Sequence, residues 1–218
     1  MTNISQIQTQ LSKLGYYKGR IDGIEGSLTT SAIKAFQKDN NLQPDGIVGR
    51  LTSSKLFPQA TQSLQSYIPF ENTVQLEQYY GKPGTNQVQI EFPYAMYYDN
   101  APIHRFTINK FAAEDALKVL QQVATLYSAK ERAAIGLDQF SGCFANRNKR
   151  GGSSLSTHAY AISLDFDQAR NQLTWGKEKA RLGQADAVPF WECWEAVGWV
   201  SLGRTENRDW MHVQRARR

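Results

Sequence analysis

The sequence predicts an α+β protein: a small three-helix N-terminal domain, a linker, and a larger α+β domain with a small antiparallel sheet. Three observations carry that expectation. Apolar residues recur at helical spacing across residues 1–57, interrupted by two Asp-Gly turns. A polar stretch without sustained periodicity follows. From Val74 onward, a strand-like alternation is mixed with amphipathic helical patterns. A chain of 218 residues suits one large domain or a small one plus a medium one.

Taken in order, Ile4, Ile7, Leu11 and Leu14 predict a first helix, stopped by Gly15. Leu28, Ala32, Ala35 and Phe36 predict a second, and a third runs from a cap at about Thr52 toward Leu56. The turn Asp22-Gly-Ile-Glu-Gly26 recurs as Asp45-Gly-Ile-Val-Gly49, 23 residues later. Residues 58–73 are expected to be a linker, and residues 74–218 the second domain. There, Tyr80-Gly-Lys-Pro-Gly-Thr85 reads as a turn, and Val88–Phe92 as an edge strand ended by Pro93. Phe111–Tyr127 predicts an amphipathic helix with Ala112, Leu117, Leu120, Val123, Ala124 and Tyr127 on its apolar stripe. Phe190–Val200 predicts another, whose Trp191, Trp194 and Trp199 are expected in the core.

Composition narrows the function classes. Charged residues are 21% and hydrophobic residues 41%, ordinary for a soluble globular protein. No run of about 18 apolar residues exists, so no membrane insertion is expected. The N-terminus lacks a basic region followed by an apolar stretch, so synthesis in the cytoplasm without a secretory signal is expected. The net charge of +5 suits an anionic surface such as a bacterial wall. Nucleic acid is not an expected partner, because no nucleic-acid motif accompanies the charge. Cys143 and Cys193 read as small buried hydrophobes, and a monomer is the expected state.

The chemistry concentrates late in the chain. Read as a strand, residues 161–167 place Ile162, Leu164 and Phe166 on a core face. Ala161, Ser163, Asp165 and Asp167 then fall on the other face, with open space above Asp165. His158, three residues before that strand, can turn toward the same space, and His212 adds a second imidazole. Two imidazoles and a carboxylate leave one coordination position open, the pattern of a catalytic zinc site, with Asp209 left over beside it. His104 has no carboxylate at ligand spacing and reads as structural.

Two resemblances attach to these residues. Gln10-Leu-Ser-Lys-Leu-Gly-Tyr16, Ile21-Asp-Gly-Ile-Glu-Gly26, Ala35-Phe-Gln37 and Pro44-Asp-Gly-Ile-Val-Gly49 resemble the peptidoglycan-binding domain found at the ends of many wall hydrolases. That resemblance implies a groove near the first turn for wall glycan or peptide, with Tyr16, Tyr17, Arg20 and Asp22 as the wall-binding candidates; the two tyrosines alternatively cover the helix pair. Tyr80-Gly-Lys-Pro-Gly84, Arg150-Gly-Gly152, Ser156-x-His158, Asp165, Gly198-Trp199 and Asp209-x-x-His212 resemble the VanX/VanY D-Ala-D-Ala peptidases. That family includes the L-alanyl-D-glutamate endopeptidases of phage endolysins. Ala161 and Ser163 stand where it usually has Gly and Ala, and both are small.

The second resemblance implies a zinc peptidase fold for residues 74–218, with His158, Asp165 and His212 as ligands of Zn2+. It makes Asp209 the general base and Arg147 or Arg150 the cation beside the substrate carbonyl. Ser156, Tyr160 and Trp210, beside these, are candidates for substrate binding. Ser156 alternatively caps its loop, and the two aromatic residues alternatively pack around the site. Together the resemblances imply a modular peptidoglycan hydrolase of the endolysin kind, acting on bacterial peptidoglycan after release from the cytoplasm. The expected bond is L-alanyl-D-glutamate. A D-alanyl-D-alanine carboxypeptidase, a cross-link endopeptidase, or a wall-binding protein on an inactive peptidase fold are the alternatives.

Overall fold

A computed structural model of the chain describes residues 4–57 and 68–218, which fall into two compact units, Met1–Tyr67 and Ile68–Arg218. The architecture is α+β as expected: helices first, then a unit with small antiparallel sheets and helices. Most of the expected linker, residues 58–67, lies outside the described residues. Its last six residues pack into the second unit, where Ile68 is buried and the Glu71 N–H donates to Arg217 O at 2.7 Å.

The first unit comprises α1 (Ile4–Lys13), α2 (Ser27–Asp39) and α3 (Arg50–Leu56). Gly15, at φ +83°, follows the end of α1 in a conformation that costs a β-carbon dearly. Ile7, Leu11, Ala32, Ile33, Phe36 and Leu56 form the core. The buried stripe of α2 is Thr29, Ala32, Ile33, Phe36 and Gln37, so the expected stripe was rotated: Leu28 and Ala35 are exposed. Thr52 sits inside α3, whose N-cap is Gly49.

The repeated turns are held by two buried glutamines. Gln8 Nε2 donates to Asp22 Oδ1 at 2.8 Å, to Ile24 O at 3.1 Å and to Thr29 Oγ1 at 3.2 Å, while the Gly23 N–H donates to Gln8 Oε1 at 2.9 Å. Gln37 repeats the pattern with Asp45 at 2.7 Å, Ile47 at 2.8 Å, Thr52 at 3.0 Å and the Gly46 N–H at 2.8 Å. Each amide thus satisfies a turn that no regular ladder could serve.

The second unit begins with α4 (Thr73–Tyr80), capped by Asn72. The antiparallel hairpin β1 (Gln87–Tyr98) and β2 (Ala101–Asn109) follows. Asp99 and Asn100, both at positive φ, make its two-residue turn. Pro93 does not end β1. The register shifts between Glu91 and Met96, so a bulge accommodates the missing N–H. Asn109 caps α5 (Lys110–Leu126) and donates from Nδ2 to Tyr80 O at 3.0 Å and Tyr160 O at 3.2 Å. A capping box of Ser128 and Glu131 starts α6 (Ala129–Ile135).

A four-stranded antiparallel sheet carries the rest, in the order β3 (Phe140–Gly142), β4 (Ser163–Phe166), β6 (His212–Gln214), β5 (Val200–Ser201). Between β4 and β5 lies α7 (Val188–Ala196), and after β5 comes α8 (Leu202–Glu206). Trp191, Trp194 and Trp199 are buried, as their spacing predicts. Phe166 bridges to this cluster, its ring 5.2 Å from Phe190 and 6.4 Å from Phe140. Cys143 and Cys193 are free and buried. Among the described residues, no helix is long and apolar enough to cross a membrane.

Replacing Gln37 with Ala strands the Gly46 N–H and frees the second turn. Gln37→Ala is expected to lower the stability of the first unit by about 2 kcal/mol, read from amide exchange in α2. A change below about 0.5 kcal/mol would show that the buried amide does not hold the turn.

Candidate metal centre

Three short pieces of chain build the site. Asp165 on β4 and His212 on β6 are register partners in adjacent antiparallel strands, so their side chains leave the sheet on one face. His158 comes from the 3-10 turn Thr157–Tyr160, which Ser156 Oγ caps by accepting from the His158 N–H at 3.3 Å. His158 Nε2 lies 3.2 Å from Asp165 Oδ2 and 3.3 Å from His212 Nδ1, and His212 Nδ1 lies 2.8 Å from Asp165 Oδ1. A tetrahedral zinc with bonds of 2.0–2.1 Å holds its ligand atoms about 3.3 Å apart. These three buried residues can therefore hold a metal ion with one position left open.

The outer contacts select the nitrogens. His158 Nδ1 donates to Cys143 O at 2.7 Å, which leaves the Nε2 lone pair facing the cluster. His212 Nε2 donates to Gln214 Oε1 at 3.1 Å, which leaves Nδ1 facing it. Gln214 is itself fixed: Thr157 Oγ1 donates to its Oε1 at 3.3 Å, and its Nε2 donates to Glu71 Oε2 at 3.2 Å. Glu71 is gripped by Lys149 at 2.7 Å and Arg218 at 2.9 Å. Burial would raise the Asp165 pKa, but the two imidazoles hold the carboxyl far below the usual range. Burial opposes protonation of His212, and Asp165 outweighs it, so its pKa is raised. Burial pushes the Cys143 thiol well up and keeps it inert; its carbonyl does the work.

Asp209 sits at the edge of the cluster. It is buried, at φ +55°, and its carbonyl accepts from the His212 N–H at 2.9 Å. Its Oδ1 is buried without a hydrogen-bond partner among the described residues. Burial raises its pKa, the charge of His212 opposes the rise, and Asp165 adds to it. A cleft of about 310 Å³ opens over the cluster, lined also by Arg147, Arg150, Ser156 and Asp209.

Not every expected residue arrives there. Asp167 is not on the face of Asp165: β4 ends at Phe166, and Asp167, at φ +46°, turns to Arg170 Nε at 2.6 Å. The space expected above Asp165 is present, since Asp165 lines the cleft, while Ser163 is buried and donates to Thr157 at 2.6 Å. Tyr160 is in the core beside Thr73 and Glu77, outside the cleft lining. Trp210 is buried against Gly203, and its Nε1 donates to Asn207 at 3.3 Å. His104 lies exposed on β2, away from the cluster. Gln214 and Glu71 went unread. Gln214 could have been found from its place two residues beyond His212 on one strand face, whereas Glu71 carries no local signal.

The wall-binding candidates belong to the first unit. Tyr17 is buried, accepting from Gln8 Nε2 at 3.2 Å and donating to Arg20 O at 2.8 Å, which places it in the fold rather than on a surface. Asp22 is tied into its turn by Gln8 and by the Ile24 N–H at 3.0 Å. Arg20 is exposed, and Tyr16 is half-buried with its hydroxyl 3.1 Å from Asp39.

Residues 1–56 match the family model described as a putative peptidoglycan binding domain, so the first unit is a domain of that family. A spore cortex-lytic enzyme of Oceanobacillus iheyensis is 35% identical over 66 residues, 30% of this chain and 24% of that protein. The localization factor PodJL of Caulobacter vibrioides is 41% identical over 54 residues, 25% of this chain and 6% of that protein. An uncharacterized protein of Kitasatospora aureofaciens is 40% identical over 60 residues, 27% of this chain and 51% of that protein. The chain thus spans at most about half the length of these relatives. No solved structure matches it.

Gln214→Leu removes the acceptor that keeps the His212 proton on Nε2. It is expected to weaken Zn2+ binding 10- to 100-fold in a chelator competition, with Gln214→Glu retaining most of the affinity. Parent affinity in Gln214→Leu would show that the side chain does not orient His212.

Proposed function

We propose that the chain is a zinc-dependent peptidase of bacterial peptidoglycan, delivered to its polymer by the first unit. The observation that carries this reading is the convergence of His158, Asp165 and His212, whose ligand atoms lie within 4.8 Å of one another, beside an unpartnered buried carboxylate in a chain that also holds a peptidoglycan-binding domain. Held by three protein ligands, zinc supplies a Lewis acid and lowers the pKa of a bound water to about 7.

The chain's own residues do the remainder. Asp209, uncommitted at Oδ1, takes a proton from the attacking water and returns it to the amine nitrogen as the amide bond breaks. Arg147 and Arg150, exposed on the cleft wall, face the oxyanion that develops as the carbonyl is attacked. Ser156 serves by capping the turn that carries His158. The preferred bond is L-alanyl-D-glutamate in the stem peptide, and the site of action is the cell wall. Arg20 and Tyr16 are the residues of the first unit proposed to meet that wall.

His158→Ala is expected to lose stoichiometric zinc and hydrolysis together, as measured by elemental analysis and by release of soluble fragments from purified peptidoglycan. Asp209→Asn should keep the zinc and lose about 10²- to 10⁴-fold in rate. Parent-rate hydrolysis by Asp209→Asn would end the proposed mechanism. Mass spectrometry of the fragments identifies the bond from its new amino terminus; an amino-terminal D-alanine would replace the preferred bond with the D-alanyl-D-alanine one.

A further inference from the structure

Glu71 opens the second unit, and two hydrogen bonds connect its carboxylate to a metal-ligating imidazole. Its backbone is fixed first. The Glu71 N–H donates to Arg217 O at 2.7 Å, and the Arg217 N–H donates to Pro69 O at 2.8 Å, beside a parallel bridge of Phe70 with Arg217. The side chain is only 7% exposed, and both carboxylate oxygens are engaged. Oε1 accepts from Lys149 Nζ at 2.7 Å. Oε2 accepts from Arg218 Nη1 at 2.9 Å and from Gln214 Nε2 at 3.2 Å. Burial would raise the Glu71 pKa, but Lys149 and Arg218 hold it below the usual range. An ionised carboxylate can only accept hydrogen bonds.

We propose that Glu71 is a positioning residue for the metal centre: it orients the Gln214 amide, which in turn holds the His212 proton on Nε2 and leaves Nδ1 to zinc. The inference rests on the zinc reading above. A glutamine amide fits its space either way round, so its neighbours must choose. Here Oε1 faces His212 Nε2 at 3.1 Å and accepts from Thr157 Oγ1 at 3.3 Å. Nε2 donates to Glu71 Oε2 and to Ala216 O at 3.0 Å. Reversed, the amide would set its oxygen against the Glu71 carboxylate and the Ala216 carbonyl. Its NH2 would then meet His212 Nε2, which could only accept. The imidazole proton would move to Nδ1, the nitrogen 2.8 Å from Asp165, and zinc could bind there only by displacing it. Glu71 thus acts on a ligand from 143 residues before the amide it holds.

A double-mutant cycle on the full chain tests this, with Zn2+ affinity measured by chelator competition. Glu71→Ala is expected to weaken zinc binding about tenfold, the low end for an outer partner, because Ala216 O still accepts from the amide. In the Gln214→Leu background the same change is expected to alter affinity less than about twofold, since the amide through which Glu71 acts is gone. If Glu71→Ala fails to fold by circular dichroism, Glu71→Gln, which keeps the volume, replaces it in the cycle. Its expected loss of about threefold should likewise vanish in the Gln214→Leu background. Exchange of the His212 Nε2 proton with water, followed by NMR of the zinc-loaded chain, is expected to quicken in the Glu71 variant. Parent affinity in that variant, an equal loss in both backgrounds, or unchanged proton exchange each overturns the positioning role and leaves the zinc reading standing. A parent chain that binds no zinc overturns both.

Discussion

The pairing of Asp165 with His212 across two adjacent strands is the contact on which the second unit's chemistry depends. A carboxylate in the interior is unfavourable unless opposite charge or hydrogen-bond donors surround it. Here the strand register brings one imidazole to it, and the capped turn at Thr157–Tyr160 brings the other. The outer acceptors Cys143 O and Gln214 Oε1 take one nitrogen of each imidazole, so that the other nitrogen of each faces Asp165. The three groups together can hold a metal ion.

The same logic of satisfied burial appears in the first unit with no charge involved. Gln8 and Gln37 each place one amide against an Asp-Gly-Ile turn and a threonine, so two copies of a motif share one solution. The turns themselves were plain in the sequence, because Asp-Gly is strong local chemistry. The glutamines that hold them were not, because a single Gln on an amphipathic helix reads as surface.

That difference accounts for most of what the sequence did and did not disclose. His158, Asp165 and His212 were legible as a group because two imidazoles and a carboxylate are metal-ligating residue types, and the structure brings those three together; the part given to Asp209 came from the resemblance. Asp167 was misplaced because it was assigned by adjacency to a ligand, and adjacency holds direction only while a regular strand continues; for Tyr160, Trp210 and Tyr17 adjacency left two readings open, and the structure shows the packing one. The strand proved to be four residues, Ser163–Phe166, and everything just outside it points by other rules. Pro93 was read as a terminator, a role that a bulge removes. Glu71 lay in a stretch that read as linker, and its tie to Gln214, Lys149 and Arg218 joins residues far apart in the chain, which no window of sequence can reveal.

The ends of these short strands carry a further regularity. Ala161 and Asp167 bracket β4 at φ +55° and +46°, and Asn207 and Asp209 precede β6 at +51° and +55°. Asn and Asp enter that region with modest strain, whereas an alanine there costs about 1–2 kcal/mol. Ala161 is thus a strained residue three positions after one ligand and four before another, at the place where the resembling peptidases usually have Gly. Its carbonyl accepts from the Asn109 N–H at 2.8 Å, so the surrounding fold compels the conformation rather than the residue's own preference. A left-handed residue reverses the course of the chain within a single step. Placed there, it lets His158 leave a tight turn and Asp165 leave a strand toward the same point. Asp209 does the same for His212: it bends the chain so that a carboxylate and an imidazole three residues apart line one cleft. Strain at these joints is the means by which short elements, too small to hold a site by themselves, bring four functional groups together.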